Sequence, residues 1–526
     1  MTAFAGTRAL VGIALRRDRI RLALWIGGLA VLTAVTVSSL QDLYPTHTAL
    51  AAYANTVRGN VAVIAMSAPD RALDTIGGRA AFEIWQYCAA IALMAIFAVT
   101  RGARAEEESG RSELVRAAAV GRHAHSAAAM IVASSACVAV GVLISASLWA
   151  LGLALGGSLT MGAAFASLGI AYAAIALLTN QLTSHARTAS GLAGAAVALG
   201  YALRAVGDTS VSGLSWLSPF GWAQAMRPYT GDRWWPLLIA GVVSAGFVAA
   251  ALLLERRRDL GAGVLPDRAG PAGASPALRT PIGLAWRLQR GSILAWVFGA
   301  TLLGLVMGTM IDDADDLVGD NEAMRQYLAQ LGGASLSEIF LATLLGYFAV
   351  AAVGFALQSV MRMRSEETSG RAELVLAIGV TRRRWFAAQL LVTLIGVLLL
   401  LVLASAAMGV TYALTISDPS QIGKAALAGL AYVPAVFVIA GVSVLAFGCR
   451  SRLVALGWVA LAFVVVEFIL GQILNMPNWL RDLSPLHRLS GVPTVAPSLA
   501  LMTTLTLVAC AMLAGGLAGW TRRDVG

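Results

Sequence analysis

The chain has 526 residues, of which 58% are hydrophobic and only 13% charged, with a mean hydropathy of +0.76 and a formal net charge of +10. A water-soluble protein of this length cannot hide so much apolar surface in its cores, which excludes a soluble enzyme and leaves a membrane protein. The positive charge implies no nucleic-acid partner, because basic residues flanking membrane spans account for it.

Twelve apolar runs follow in chain order, near 22–40, 83–100, 127–152, 158–180, 188–206, 236–254, 292–310, 338–360, 386–413, 424–447, 453–474 and 498–519. Each is long enough to cross the roughly 30 Å hydrocarbon layer as a helix, the form in which a chain in lipid satisfies its own backbone. The expected fold is therefore an all-α polytopic membrane protein. The first run follows Arg16, Arg17, Arg19 and Arg21 without a signal-peptide cleavage pattern, so it is read as a retained helix. Placing the N-terminus in the cytoplasm puts 28 of the 38 Lys and Arg on that side, nine outside and one, Arg204, within a span. Both termini are then cytoplasmic. Cys88, Cys137, Cys449 and Cys510 fall in or at the ends of spans and read as small core residues, with neither disulfide nor metal spacing.

The loop after the second run carries RAEEESGRSELV at 104–115, and the loop after the eighth carries RSEETSGRAELV at 364–375, identical at nine of twelve positions. Three further echoes keep the same order: ALRRDRIRLALW (14–25) with AWRLQRGSILAW (285–296), LSP at 217–219 and 483–485, and RRDLG (257–261) with RRDVG (522–526). The chain reads as two parallel six-span halves, 1–260 and 282–526, since an even number of spans returns each half to its starting side. A Gly/Pro/Ala-rich stretch, 261–281, reads as a flexible cytoplasmic linker between them.

In each copy, adjacent carboxylates (Glu106 and Glu107; Glu366 and Glu367) precede Ser-Gly (Ser109 and Gly110; Ser369 and Gly370), which interrupts the helix. Arg111 and Glu113, or Arg371 and Glu373, then open a short run of helical spacing. Leu114, Val115 and Ala118 can share one face of that run, as can Leu374, Val375 and Ile378. A helix this short has nothing of its own to bury against, so its apolar face predicts a partner surface.

This loop, near 101–123 and again near 361–384, resembles the coupling-helix region of type-2 ABC exporter permeases. The closest likeness is to the duplicated twelve-span polyketide-antibiotic and multidrug exporter group. The likeness extends over the whole chain: a basic elbow helix before each half, the loop phrase, a distal arginine, and an outer Leu-Ser-Pro before the last span. The resemblance implies a permease that exports small hydrophobic, drug-like or polyketide-like molecules and couples through these loops to two copies of a separate ATPase subunit, which carries the ATP and Mg. It also implies that the second and fifth spans of each half line the path, which would place Trp85, Tyr87, Tyr201, Tyr347, Phe348 and Phe463 along it.

The residues exclude an ATPase within the chain itself: the one lysine, Lys424, is followed by alanine in IGKAAL, and no GxxxxGK[ST] pattern exists. No catalytic constellation appears, and no cofactor or metal is expected. His123 and His125, in a basic loop, read as solvated surface rather than a zinc site. The competing reading, a proton-coupled secondary transporter, needs titratable groups at mid-membrane. Only Arg204 and Glu467 lie well inside spans, at nearly equal depth in the fifth span of each half, and they are candidates for an intramembrane charge pair; alternatively Arg204 turns to Asp208, one turn on. A third reading, a non-transporting subunit that passes ATPase motion outward, wants a large outer domain for which the loops are too short.

Overall fold

Each of the twelve expected spans coincides with a helix in the computed structural model, which describes residues 2–58, 64–65, 67–117, 120–209, 213–265, 270, 272–309, 311, 336–470, 476–493 and 496–524, so that residues 310 and 471–474 of the expected spans lie outside the described residues. They are α1 (Thr7–Leu43), α2 (Ile76–Glu108), α3 (Ala124–Ala150), α4 (Leu155–Leu182), α5 (Ala186–Thr209), α6 (Pro236–Arg256), α7 (Pro281–Gly308), α8 (Ser337–Thr368), α9 (Arg382–Ile416), α10 (Ser420–Cys449), α11 (Ser451–Phe468) and α12 (Leu499–Arg522). The described residues contain no strand. The shortest, α11, has 18 residues and rises about 27 Å at 1.5 Å per residue, close to the hydrocarbon thickness.

The chain forms two compact units, Met1–Gly270 and Pro271–Gly526, each holding six of these helices. In the first, α2 and α4 are central, and Ile91, Met94, Cys137, Phe165 and Leu168 are buried where they meet α3. Glycine permits the closest approach: a Cβ on Gly141 of α3 would stand 2.4 Å from the Gly162 carbonyl oxygen of α4, and one on Gly162 2.1 Å from that of Gly141. Small residues at such crossings let backbones touch where lipid offers no hydrophobic driving force. In the second unit Phe386 of α9, Phe447 of α10 and Trp520 of α12 form a core near the end of the chain. The peripheral helices keep apolar outer faces, with Leu238 and Val242 of α6 both 72% exposed. Such surface suits a hydrocarbon surround.

Two expectations change. The basic stretches before each half are not separate elbow helices: residues 7–43 and 281–308 are each uninterrupted, because nothing in them breaks the backbone ladder. Within the stretch read as a linker, Val264 and Leu265 donate to the Gln181 and Leu182 carbonyls at the end of α4 (both 2.9 Å), and residues 266–269 and 271 lie outside the described residues. Of the four cysteines only Cys88 and Cys137 are buried; Cys449 and Cys510 are exposed, on helix faces turned away from their own unit's core.

Candidate functional site

The two copies of the loop phrase fold alike. Helix α2 runs to Glu108 and α8 to Thr368. Gly110 (φ 74°) and Gly370 (φ 71°) then take the left-handed conformation, which costs glycine nothing. A short helix follows in each, Arg111–Arg116 and Arg371–Ala377. The reversal brings residues five apart together: Arg111 Nε lies 3.3 Å from Glu106 Oε2, and Arg371 grips Glu366 with two bonds of 2.9 and 3.2 Å. That carboxylate raises the pKa of Arg371 above its ordinary value. The serines close the turn, Ser109 donating to the Glu106 carbonyl (3.1 Å) and Ser369 to that of Ser365 (2.7 Å).

The second glutamate of each phrase is buried and receives an arginine from the end of its unit. Arg258 Nη2 donates to Glu107 Oε1 at 2.9 Å, and Arg523 Nη2 donates to Glu367 Oε2 at 2.7 Å. These arginines hold the same place in the repeated RRDLG and RRDVG phrases, so two of the echoes in the sequence turn out to be the two sides of one joint. The loop is thereby fixed to the end of the sixth helix of its unit. This role of Arg258 and Arg523 was missed from sequence, although the RRD repeat was its signal.

Around this shared joint the copies diverge. In the first, Arg104 also donates to Glu107 (2.6 Å) and to the Ala262 carbonyl (3.1 Å). Glu108 accepts from the Ala186 amide at the start of α5 (2.9 Å), a favourable place for a carboxylate because unpaired N–H groups converge there; Thr368 holds the matching position. His123 and His125 are buried, not solvated. His123 Nδ1 is 2.8 Å from Glu255 Oε2, with both side chains almost fully enclosed between the loop and α6. A basic loop did not keep His123 in water because Glu255 supplies a buried partner. In the second copy the residues matching His125 and Glu255 are Trp385 and Trp520, whose rings stack at 5.2 Å.

What the short helices offer to solvent is the same in both. Ser112 and Ala372 are the buried positions, whereas Leu114 (78%) and Leu374 (70%) are exposed, as is Ile378 (80%). Glu113 and Glu373 lie exposed in the first turn. Val115 and Val375 are half-buried, so the expected single apolar face is divided between the unit and the outside. Ala118 lies outside the described residues.

The intramembrane charges each have partners within their own unit. Arg204 donates to the carbonyls of Ala65 (2.7 Å) and Ser67 (3.1 Å), lies 3.5 Å from Asp208 and covers the Tyr201 ring at 4.3 Å. Glu467 lies 3.4 Å from Arg481 and 3.1 Å from His487. Both thus fasten the fifth helix to a connecting segment, and these contacts account for both burials.

The aromatic residues assigned to the pathway fall into two groups. Trp85 stacks on Phe165 (5.6 Å), Tyr87 bonds to the Thr36 hydroxyl (2.7 Å) and Tyr201 packs edge-on against Phe220 (5.5 Å), all inside the first unit. Phe348 is buried, Tyr347 is 45% exposed and Phe463 is half-buried. Tyr347 and Phe348 line an apolar groove of about 360 Å³ with Trp296. Among the described residues no cluster of three or more metal-ligating side chains forms.

Twelve helices long and apolar enough to cross a membrane define a multi-pass membrane protein. Residues 278–521 match the family described as multidrug efflux system permease Rv1217c, C-terminal domain. The chain is 35% identical over 533 residues to the multidrug efflux system permease protein Rv1217c of Mycobacterium tuberculosis (strain ATCC 25618 / H37Rv), a match covering 99% of this chain and 96% of that protein. The chain belongs to this multidrug efflux permease family.

Proposed function

We propose that the chain is the membrane subunit of an ATP-driven type-2 ABC exporter, seated in a bacterial inner membrane with its termini in the cytoplasm. It moves small hydrophobic molecules outward while a separate ATPase subunit, carrying ATP and Mg, supplies the work. The observation behind this reading is the duplicated loop: two short helices, each with an exposed leucine flanked by an exposed glutamate and each braced on a buried Glu–Arg joint. An exposed apolar side chain on a rigidly braced helix suits a groove in a protein partner. Two copies in one chain suit two ATPase subunits. The efflux role follows the name of the relative from Mycobacterium tuberculosis. A proton-coupled route has no comparable observation behind it.

Reconstitution with a candidate ABC ATPase subunit from the same organism tests the reading. Efflux of a hydrophobic dye should require ATP hydrolysis and vanish in the Leu114→Asp, Leu374→Asp double variant. Efflux that continues without the ATPase and follows an imposed pH gradient would overturn it.

A further inference from the structure

A cavity of about 330 Å³ in the first unit lies between α1, α2 and α3, beside the loop. One end is ionic and the other apolar, with Arg17, Asp18, Arg21 and Arg101 at the first and Trp25 and Phe97 at the second. Trp25 and Phe97 remain 36% and 49% exposed. Its acids are already matched: Asp18 pairs with Arg17 (2.9 Å) and with Arg101 (2.9 Å), and Glu106 pairs with Arg17. Arg21 is left over, and among the described residues no hydrogen bond or ion pair occupies its guanidinium.

The second unit carries different chemistry at the matched positions. Ser292 stands for Arg21 and donates to Gln358 (2.8 Å), which also accepts from Trp296, the counterpart of Trp25 (2.8 Å). Gln289 stands for Asp18 and is bonded to Gln389 (2.7 Å) and Ser359 (2.6 Å). A neutral, self-satisfied network thus stands at the positions where the first unit keeps an ionic cluster and one uncommitted cation, and the groove along Trp296, Tyr347 and Phe348 is apolar. The ionic end is therefore particular to the first unit's residues rather than a consequence of the repeated fold.

We infer that this cavity holds an anionic phospholipid from the leaflet on the side of the loop, its phosphate at Arg21 and an acyl chain along Trp25 and Phe97. Charge decides the head group, since the pairs around Arg17 and Arg101 are balanced and Arg21 adds one net positive charge. Geometry decides the tail, because the apolar end is lined by Leu22, Trp25, Met94 and Phe97, of which Trp25 and Phe97 open to the outside. The inference does not depend on whether transport is ATP-driven.

Native mass spectrometry of the full chain in detergent, titrated with phosphatidylglycerol or phosphatidylcholine, tests it. The unmodified chain should retain phosphatidylglycerol preferentially. Arg21→Gln should weaken that retention about five- to tenfold, Arg21→Lys should restore most of it, and Arg19→Gln, on the same helix but off the cavity, should leave it unchanged. Glycerol 1-phosphate, the head group without tails, should not displace the lipid. Equal retention of both lipids, an Arg21→Gln variant that matches Arg19→Gln, or displacement by glycerol phosphate alone would overturn the proposal.

Discussion

Glu107 and Glu367 occupy the same place in two copies of one loop, and each is met by an arginine from the end of its unit's sixth helix, but their surroundings differ in kind. Glu107 sits between two guanidinium groups, Arg104 and Arg258, beside the buried His123–Glu255 pair. Glu367 meets Arg523, whose guanidinium also lies over the rings of Phe447 (5.0 Å) and Trp520 (4.9 Å). One joint is secured by charge and the other by aromatic stacking on a single ion pair. The retained part is the contact itself, which suggests that the position of the loop matters more than the chemistry that fixes it.

If that is right, removing the support in each unit should have different consequences. Trp520→Ala should have the largest effect, because it empties a fully buried ring site that touches Trp385, Phe386 and Phe447. A loss of about 3 kcal/mol is expected, read as a lowered melting temperature and faster trypsin cleavage at the second loop alone. Glu107→Gln comes next: it removes the carboxylate that Arg104 and Arg258 share and leaves them the neutral acceptors of Gly261, Ala262 and Gln181, for about 2 kcal/mol. Glu367→Gln should cost about half as much, since Arg523 keeps its ring partners and some access to water. Cleavage rates at the two loops rank these variants, and a larger effect from Glu367→Gln would break the distinction between ionic and aromatic joints.

Gly110→Ala and Gly370→Ala should each cost about 1 kcal/mol through left-handed backbone strain, equally in both units. Unequal values would mean that the two turns are not under the same constraint. The smallest effect is expected from Glu108→Ala, which frees the amide of Ala186 at the start of α5 for a loss of about 0.5 kcal/mol, with Thr368→Ala silent. Melting curves of the two variants compared directly check this.

Much of this was legible in the residues. Span length and hydropathy located all twelve helices, because lipid allows a spanning chain little else, and Ser-Gly located both turns. The repeated EExSGR phrase also identified Glu106 with Arg111 and Glu366 with Arg371 as one local unit, although not their bonding. Contacts between distant parts of the chain were harder to read. Nothing near Glu107 in sequence announces Arg258, and the His123–Glu255 pair arises only when α6 packs beside the loop. The near-equal depth of Arg204 and Glu467 was visible, but depth alone does not name a partner, and each charge is engaged by a segment of its own unit that approaches only in the folded chain.

The claim that the two loops are matched docking points for two separate ATPase subunits has a direct measurement. The mass of the detergent-solubilised complex, purified from cells that co-express a candidate ATPase subunit, should correspond to one permease chain and two ATPase subunits. Leu114→Asp or Leu374→Asp alone should reduce the count to one, and the pair to none, with the melting temperature of the permease unchanged because both leucines are exposed. Two permease chains per particle, or a double variant that still carries both ATPase subunits, would contradict the account.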